Sequence, residues 1–273
     1  MQIATVLPFA FQKPEENIAD DIAQLSSLLE KVGFDAISVT DHPVPTGRWL
    51  DAGGHFAHDP FGELSFVAAA TRKIRLQTGI LVLPYRNPFI TARAAASLDV
   101  FSNGRVVLGV DAGYLKGEYK ALGVDFERRN EIMDEYLKPH PPLWIGGNSR
   151  RAIRRAAELG DAWCPFFTQG PLSTTSRTAA LSDEIGLAAG IKFLHQHCDI
   201  IGRKQYPGVF VSGISQPGTW NARELIDTLS SLADLGVQGA GVPLKGTSTA
   251  EWRESAERYG IEVIPRLPGC KGG

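Results

Sequence analysis

Short apolar runs alternate along the chain with longer stretches whose apolar residues recur at spacings of three and four. Ile3–Pro8 is the first run. From about Asn17 to Val32, the residues Ile18, Ile22, Leu25, Leu28, Leu29 and Val32 fall on one helical face, and Gly33 stands where such a helix ends. Further runs lie at Ala36–Thr40, Ile74–Leu83, Val106–Val110, Leu143–Ile145, Ala162–Pro165, Val209–Ser212 and Gly239–Val242. Helical patterns fill the gaps: Phe61–Ala70, Pro88–Phe101 with Pro88 suited to the first turn, and roughly Lys116–Leu137. They continue at Ser149–Leu159, within Ser182–Ile201, at Ala222–Leu235 and at about Thr249–Tyr259. The runs are mostly apolar rather than alternating, as in strands buried on both faces of a parallel sheet. Eight strand–helix units in 273 residues predict an α/β fold, a single-domain (β/α)8 TIM barrel over 1–273. A doubly wound open sheet is the alternative, but Pro8-Phe9-Ala10-Phe11 is not the Gly-rich phosphate turn with which that fold usually begins.

Charge narrows the partners. Lys plus Arg total 28 against 30 for Asp plus Glu, so there is no basic excess to hold nucleic acid. No apolar run approaches the ~20 residues of a membrane span, and the first residues lack a basic-then-apolar leader. Cys164, Cys198 and Cys270 form no C-x-x-C pair, which predicts a reduced, cytoplasmic setting. His195, His197 and Cys198 cluster inside a helical pattern without metal-ligand spacing, so a structural role is expected and no metal.

In a barrel the chemistry belongs at the C-terminal strand ends. Asp41 and His42 follow the second strand there, and His can move a proton near neutral pH. Thr78-Gly79 falls inside the long third strand, where a Gly marks a bulge or a close approach by a ligand. Gly146-Gly147-Asn148-Ser149 leaves the fifth strand into a helix, a geometry that suits a phosphate and equally a plain turn with an N-cap. Glu118 reads as a helix N-terminal charge rather than a catalytic acid. His55 and His58 are read as a surface-loop pair rather than metal ligands joining Asp41 and His42.

Several blocks resemble one family in order and number. They include Gly33-Phe34-Asp35-Ala36-Ile37-Ser38-Val39-Thr40-Asp41-His42, Ile74–Pro84, Asn87-Pro88 and Ser97-Leu98-Asp99. Ser102-Asn103-Gly104-Arg105, Leu108–Tyr114, Glu118–Val124, Pro141–Ser149, Arg154–Ala157 and Gly160-Asp161-Ala162-Trp163 complete the set. Together they resemble the luciferase-like monooxygenase superfamily, in its deazaflavin-dependent oxidoreductase branch. The resemblance implies coenzyme F420 at the strand C-termini, with FMN as the alternative, a small-molecule substrate and a homodimer. It implies hydride transfer, with His42 donating a hydrogen bond or proton and Asp41 orienting it. It places Thr78-Gly79 in a bulge, often with a cis peptide, behind the ring. It makes Gly146-Gly147 a phosphate-binding turn, and Asn87, Asp111, Ala112, Gly113, Asn148, Ser149 and Trp163 further cofactor contacts.

Two departures stand out. The family places several tens of residues between the fourth helix and the fifth strand, and here Leu137 runs directly into Lys138-Pro139-His140-Pro141-Pro142. Asp111 stands where a Gly is common, and its carboxylate would repel an anionic cofactor tail. The competing functions are an FMN-dependent monooxygenase, a metal-dependent barrel hydrolase and a non-catalytic flavin-binding barrel.

Overall fold

A computed structural model describes residues 1–11, 18–137, 143–168, 179–215 and 218–268. The Lys138–Pro142 junction, the middle of the Phe166–Ser182 loop and Cys270 lie outside the described residues.

Eight strands form a closed, all-parallel barrel in chain order: β1 (Gln2–Val6), β2 (Ala36–Val39), β3 (Arg75–Val82) and β4 (Val106–Asp111), then β5 (Leu143–Gly146), β6 (Ala162–Cys164), β7 (Gly208–Val211) and β8 (Gly239–Gly241), which pairs back onto β1. The helices packed around it are α1 (Ala19–Lys31), α2 (Gly47–Asp51), α3 (Pro60–Ala70), α4 (Pro88–Ser102) and α5 (Lys116–Ala121), with α6 (Arg129–Tyr136), α7 (Arg150–Leu159), α8 (Glu184–Ile200), α9 (Ala222–Asp234) and α10 (Thr249–Arg258). The apolar core lies between strands and helices: Ile3, Ile37, Leu76, Val110 and Ile145 meet Leu25, Leu29, Leu64, Leu98 and Ile153, all buried. Each such side chain contributes roughly 1.5–3 kcal/mol by leaving water.

The short α2 has no counterpart in the sequence reading. The single helix expected over Lys116–Leu137 is two. Gly123 adopts a φ of +71°, a left-handed conformation that ends α5, and the chain turns before α6 restarts at Arg129. Residues 137–142 alone separate α6 from β5, so no insertion of tens of residues stands between them. His195 and His197 lie in α8, where His195 stacks on Tyr206 and His197 meets Glu158 at 2.9 Å.

The barrel interior is partly open. A cavity of about 280 Å³ is lined at one end by Asp41, His42 and Gly113 and at the other by Gln2, Asp35 and Arg75, so it reaches from one rim of the strands to the other. Small residues keep it clear, among them Ala4, Ala36, Ser38, Gly79 and Gly241, and Trp144 and Phe210 stack at 3.9 Å along its wall.

Candidate active site

Asp41 and His42 leave β2 at the C-terminal rim, and both line the cavity. Their side chains diverge. Asp41 accepts the Val82 N–H at 3.0 Å and pairs with Arg86 at 2.7 Å, and Arg86 reaches on to Asp59, the N-cap of α3. Burial raises the Asp41 carboxyl above its ordinary value, opposed by the Arg86 guanidinium. The expectation that Asp41 orients His42 is corrected: His42 Nδ1 lies 3.3 Å from Glu118 Oε2. With its carboxylate committed to Arg86 and Val82, Asp41 leaves that place to Glu118.

Glu118 stands in the first turn of its helix, as expected, and has buried partners besides. It is fully buried on α5, and it accepts bonds from the Tyr85 hydroxyl at 2.9 Å and the Val44 N–H at 3.3 Å. A carboxylate taking two donors already has the lone pairs to accept a third, so the geometry assigns the Nδ1 proton to His42 as donor. Nε2 is then the polar atom His42 can offer the cavity. Around the imidazole stand Trp49, His55 and Tyr114, with ring centroids at 5.1, 5.1 and 6.1 Å. His55 is therefore part of the site rather than of a surface loop. Burial lowers its proton affinity, and its Nδ1–H donates to the Phe56 carbonyl at 2.7 Å. His58 does not line the cavity. Among the described residues, no group of three or more His, Cys, Asp or Glu side chains is arranged to hold a metal ion.

The part of the wall that β3 supplies, beside β2, is backbone. The register of β3 on β4 shifts between Thr78 and Leu81, and the Gly79–Ile80 peptide is cis. A Cβ on Gly79 would run into Ser38 Oγ, so a larger residue there would make the Ser38 hydroxyl turn away. Thr78 lies behind the wall, fully buried, with its hydroxyl donating to the Gly109 carbonyl at 2.8 Å.

A second cavity of about 260 Å³ adjoins the first and shares Gly113 and Tyr114 with it. Asp111, Ala112, Gly147 and Ser149 line it, together with Arg129, Arg151 and Arg155. Gly147 adopts a φ of +100°, and Ser149 caps α7 by accepting the Ala152 N–H at 3.1 Å. The first amides of α7 and three guanidinium groups make this an anion-attracting corner. Asp134 partly offsets it, meeting Arg151 and Arg155 at 2.6 Å each.

The remaining expected residues brace the site and line neither cavity. Asn87 caps α4, accepting the Phe89 N–H at 3.0 Å. Asn148 ties its loop to Phe166, donating to its carbonyl at 2.8 Å and accepting its N–H at 3.0 Å. Trp163 is buried and donates to the Gly147 carbonyl at 2.8 Å, holding the turn in place. A Cβ on Gly146 would press on Ile80 Cδ1 at 2.9 Å. Sequence reasoning missed Tyr85, Arg86, Glu118 and the three arginines as site residues. For Glu118 a signal existed: with Leu115, Tyr119 and Leu122 it completes an i, i+3, i+4, i+7 apolar face, so a carboxylate there needs a partner.

Comparison with known proteins supplies relatives. The sequence model of the luciferase-like monooxygenase family matches residues 1–138. The F420-dependent glucose-6-phosphate dehydrogenase of Amycolatopsis mediterranei (strain U-32) is 33% identical over 132 residues, which are 47% of this chain and 38% of that protein. The 4-hydroxyprotoasukamycin monooxygenase of Streptomyces nodosus subsp. asukaensis is 34% identical over 139 residues, 51% of this chain and 36% of that protein. The chain thus spans well under half the length of either. Among solved structures, a monooxygenase from Streptomyces bottropensis superposes with a TM-score of 0.75 at 14% identity, covering 97% of this chain and 99% of that one. An F420-dependent secondary alcohol dehydrogenase bound to an F420-acetone adduct gives 0.72 at 16% identity, covering 97% and 98%. At such identities these two show the shared fold.

Proposed function

The chain belongs to the luciferase-like monooxygenase family, and from that premise we propose that it is an oxidoreductase that transfers hydride between coenzyme F420 and a small organic substrate. The observation that carries this reading is His42, held by Glu118 on the wall of a cavity that the glycine backbone at Gly79, on the neighbouring strand, also lines. The cavity is near the lower end of the roughly 300–1,000 Å³ of ligand pockets, enough for a flat ring but not for a whole cofactor. The adjoining corner at Gly147, Ser149 and Arg129 would take the phosphate-bearing tail.

When bound, the deazaflavin supplies the two-electron chemistry, and the protein supplies position and proton traffic. As hydride leaves the carbon of an alcohol, its hydroxyl proton passes to His42 Nε2. In the reverse direction His42 returns it to the carbonyl oxygen. Glu118, fixed by Tyr85 and Val44, holds the imidazole in place in either case. An FMN-dependent monooxygenase is the second reading, its monooxygenase part favoured by the likeness to the Streptomyces nodosus monooxygenase. The free Cys164 and Cys198 support a cytoplasmic setting. Exposed Phe66, Phe89, Ile90, Val100 and Phe101 on neighbouring α3 and α4 support a homodimer formed through that face.

Side-by-side fluorescence titration with F420 and FMN tests the cofactor. F420 binding tighter than FMN is expected, and tight FMN with no deazaflavin affinity would move the chain to the second reading. His42→Gln should leave the dissociation constant within about threefold and lower turnover by ~10²-fold or more. Unchanged turnover would remove His42 from the chemistry.

A further inference from the structure

The side cavity attracts an anion through its cations and opposes one through Asp111. Asp111 is the last residue of β4, and its Oδ1 accepts the Ala112 N–H at 2.5 Å. A Cβ built on Gly147 would lie 3.1 Å from Asp111 Oδ2, so the carboxylate sits across the turn that a phosphate would approach. Arg129 faces it from α6, Arg151 and Arg155 from α7 with Asp134 of α6 paired to both, Tyr119 from α5, and Tyr114 from the intervening loop. Two of the three guanidinium groups are already paired with Asp134. Arg129 donates to the Phe126 carbonyl at 2.8 Å and lies over the Phe126 ring. With Asp134 shared between two arginines and Arg129 unpaired with any carboxylate among the described residues, an ionised Asp111 still cancels part of the positive charge that the corner offers a tail. Burial pushes the Asp111 carboxyl up to about 6, against the pull of Arg155 and Arg129, so its protonation lies within reach of neutral pH.

We propose that Asp111 makes capture of an anionic cofactor tail proton-linked: the tail enters the side cavity as the Asp111 carboxylate takes up one proton from solvent and then donates its O–H to a tail oxygen. This rests on reading the mouth as a flavin-type site. Tail affinity should therefore fall as the pH rises above the carboxyl's value in the free protein, by up to tenfold per pH unit for one linked proton. A neighbouring phosphate deepens the effect, because its charge stabilises the protonated form.

The test is a fluorescence titration from pH 5.5 to 8.5 with whichever of F420 or FMN the protein binds, beside its tail-less counterpart, the bare deazaflavin chromophore or riboflavin. Parent protein and Asp111→Asn are compared, the variant leaving the phosphate's own titration in place. The expected result is a parent affinity for the tailed cofactor that drops about tenfold between pH 7 and 8 relative to Asp111→Asn. The tail-less rings should bind both proteins with the same pH profile, which also shows that the variant is folded. Parallel profiles for parent and variant would overturn the proposal while leaving the cofactor reading intact. A pH slope shared by the tail-less ring would assign the linkage to the ring end and overturn it equally. Failure of both F420 and FMN to bind at any pH would remove the cofactor reading and this inference with it.

Discussion

Glu63 Oε1, in the first turn of α3, is buried without a hydrogen-bond partner among the described residues, and burial pushes its carboxyl up to about 7. The value is raised above that of the unfolded chain, so the native state holds a proton that the unfolded state releases. Its contribution to stability is complete below pH 4.5 and is lost as the pH rises through 7. Glu63→Gln should accordingly stabilise the protein at pH 8 by on the order of 3 kcal/mol and leave it unchanged near pH 4. Urea unfolding at the two pH values checks this, and an equal effect at both would show that Glu63 is ionised in the fold. Residue by residue, what the sequence made legible followed from chemistry carried locally. Asp41 and His42 stand out because two polar groups end an apolar strand. Ser149 stands out because a hydroxyl precedes a helix. Glu118 was hidden because its partners, Val44, His42 and Tyr85, lie 74, 76 and 33 positions away and meet it only when the barrel closes.

The elements were read nearly in full, because each strand is a continuous apolar run and each long helix has an unbroken stripe. Gly33 ended its helix as expected and Gly236 follows α9 in the same way, both with positive φ. In the Lys116–Leu137 stretch pattern and structure part. Its stripe runs through Leu122 and Phe126, but Gly123 takes a left-handed turn and both apolar residues pack outside a helix. That break matters for the site: α5 carries Glu118 to His42, whereas α6 carries Arg129 to the side cavity. One continuous helix would present these two residues eleven positions apart on a rigid rod, near the same face. Two helices aim them at separate cavities. The bulge at Thr78–Leu81 was legible from the mid-strand Gly, whereas the closeness of Ser38 Oγ to that Gly is a product of β2–β3 register.

Across the whole molecule, the α3–α4 face carries apolar side chains that a monomer would leave in water, with Phe89 82% and Phe101 76% exposed. Phe89 and Val100 are eleven residues apart, three turns of helix, and so share one side of α4. Sedimentation should find a dimer, and Val100→Glu with Phe101→Glu should convert it to monomer with the fold intact. A monomeric parent would place the subunit contact elsewhere or nowhere. The other global feature is the open bore of the barrel. The stretch beside Trp144 and Phe210 is internal volume that the folded chain leaves unfilled and that unfolding eliminates. Hydrostatic pressure acts on that difference, favouring the state of smaller volume. Compression should therefore unfold this barrel more readily than one filled with branched side chains, and a ring lodged in the mouth should move the half-unfolding pressure upward, as tryptophan emission in a high-pressure cell would record. The molecule's squeezability thus becomes a gauge of how fully its bore is filled.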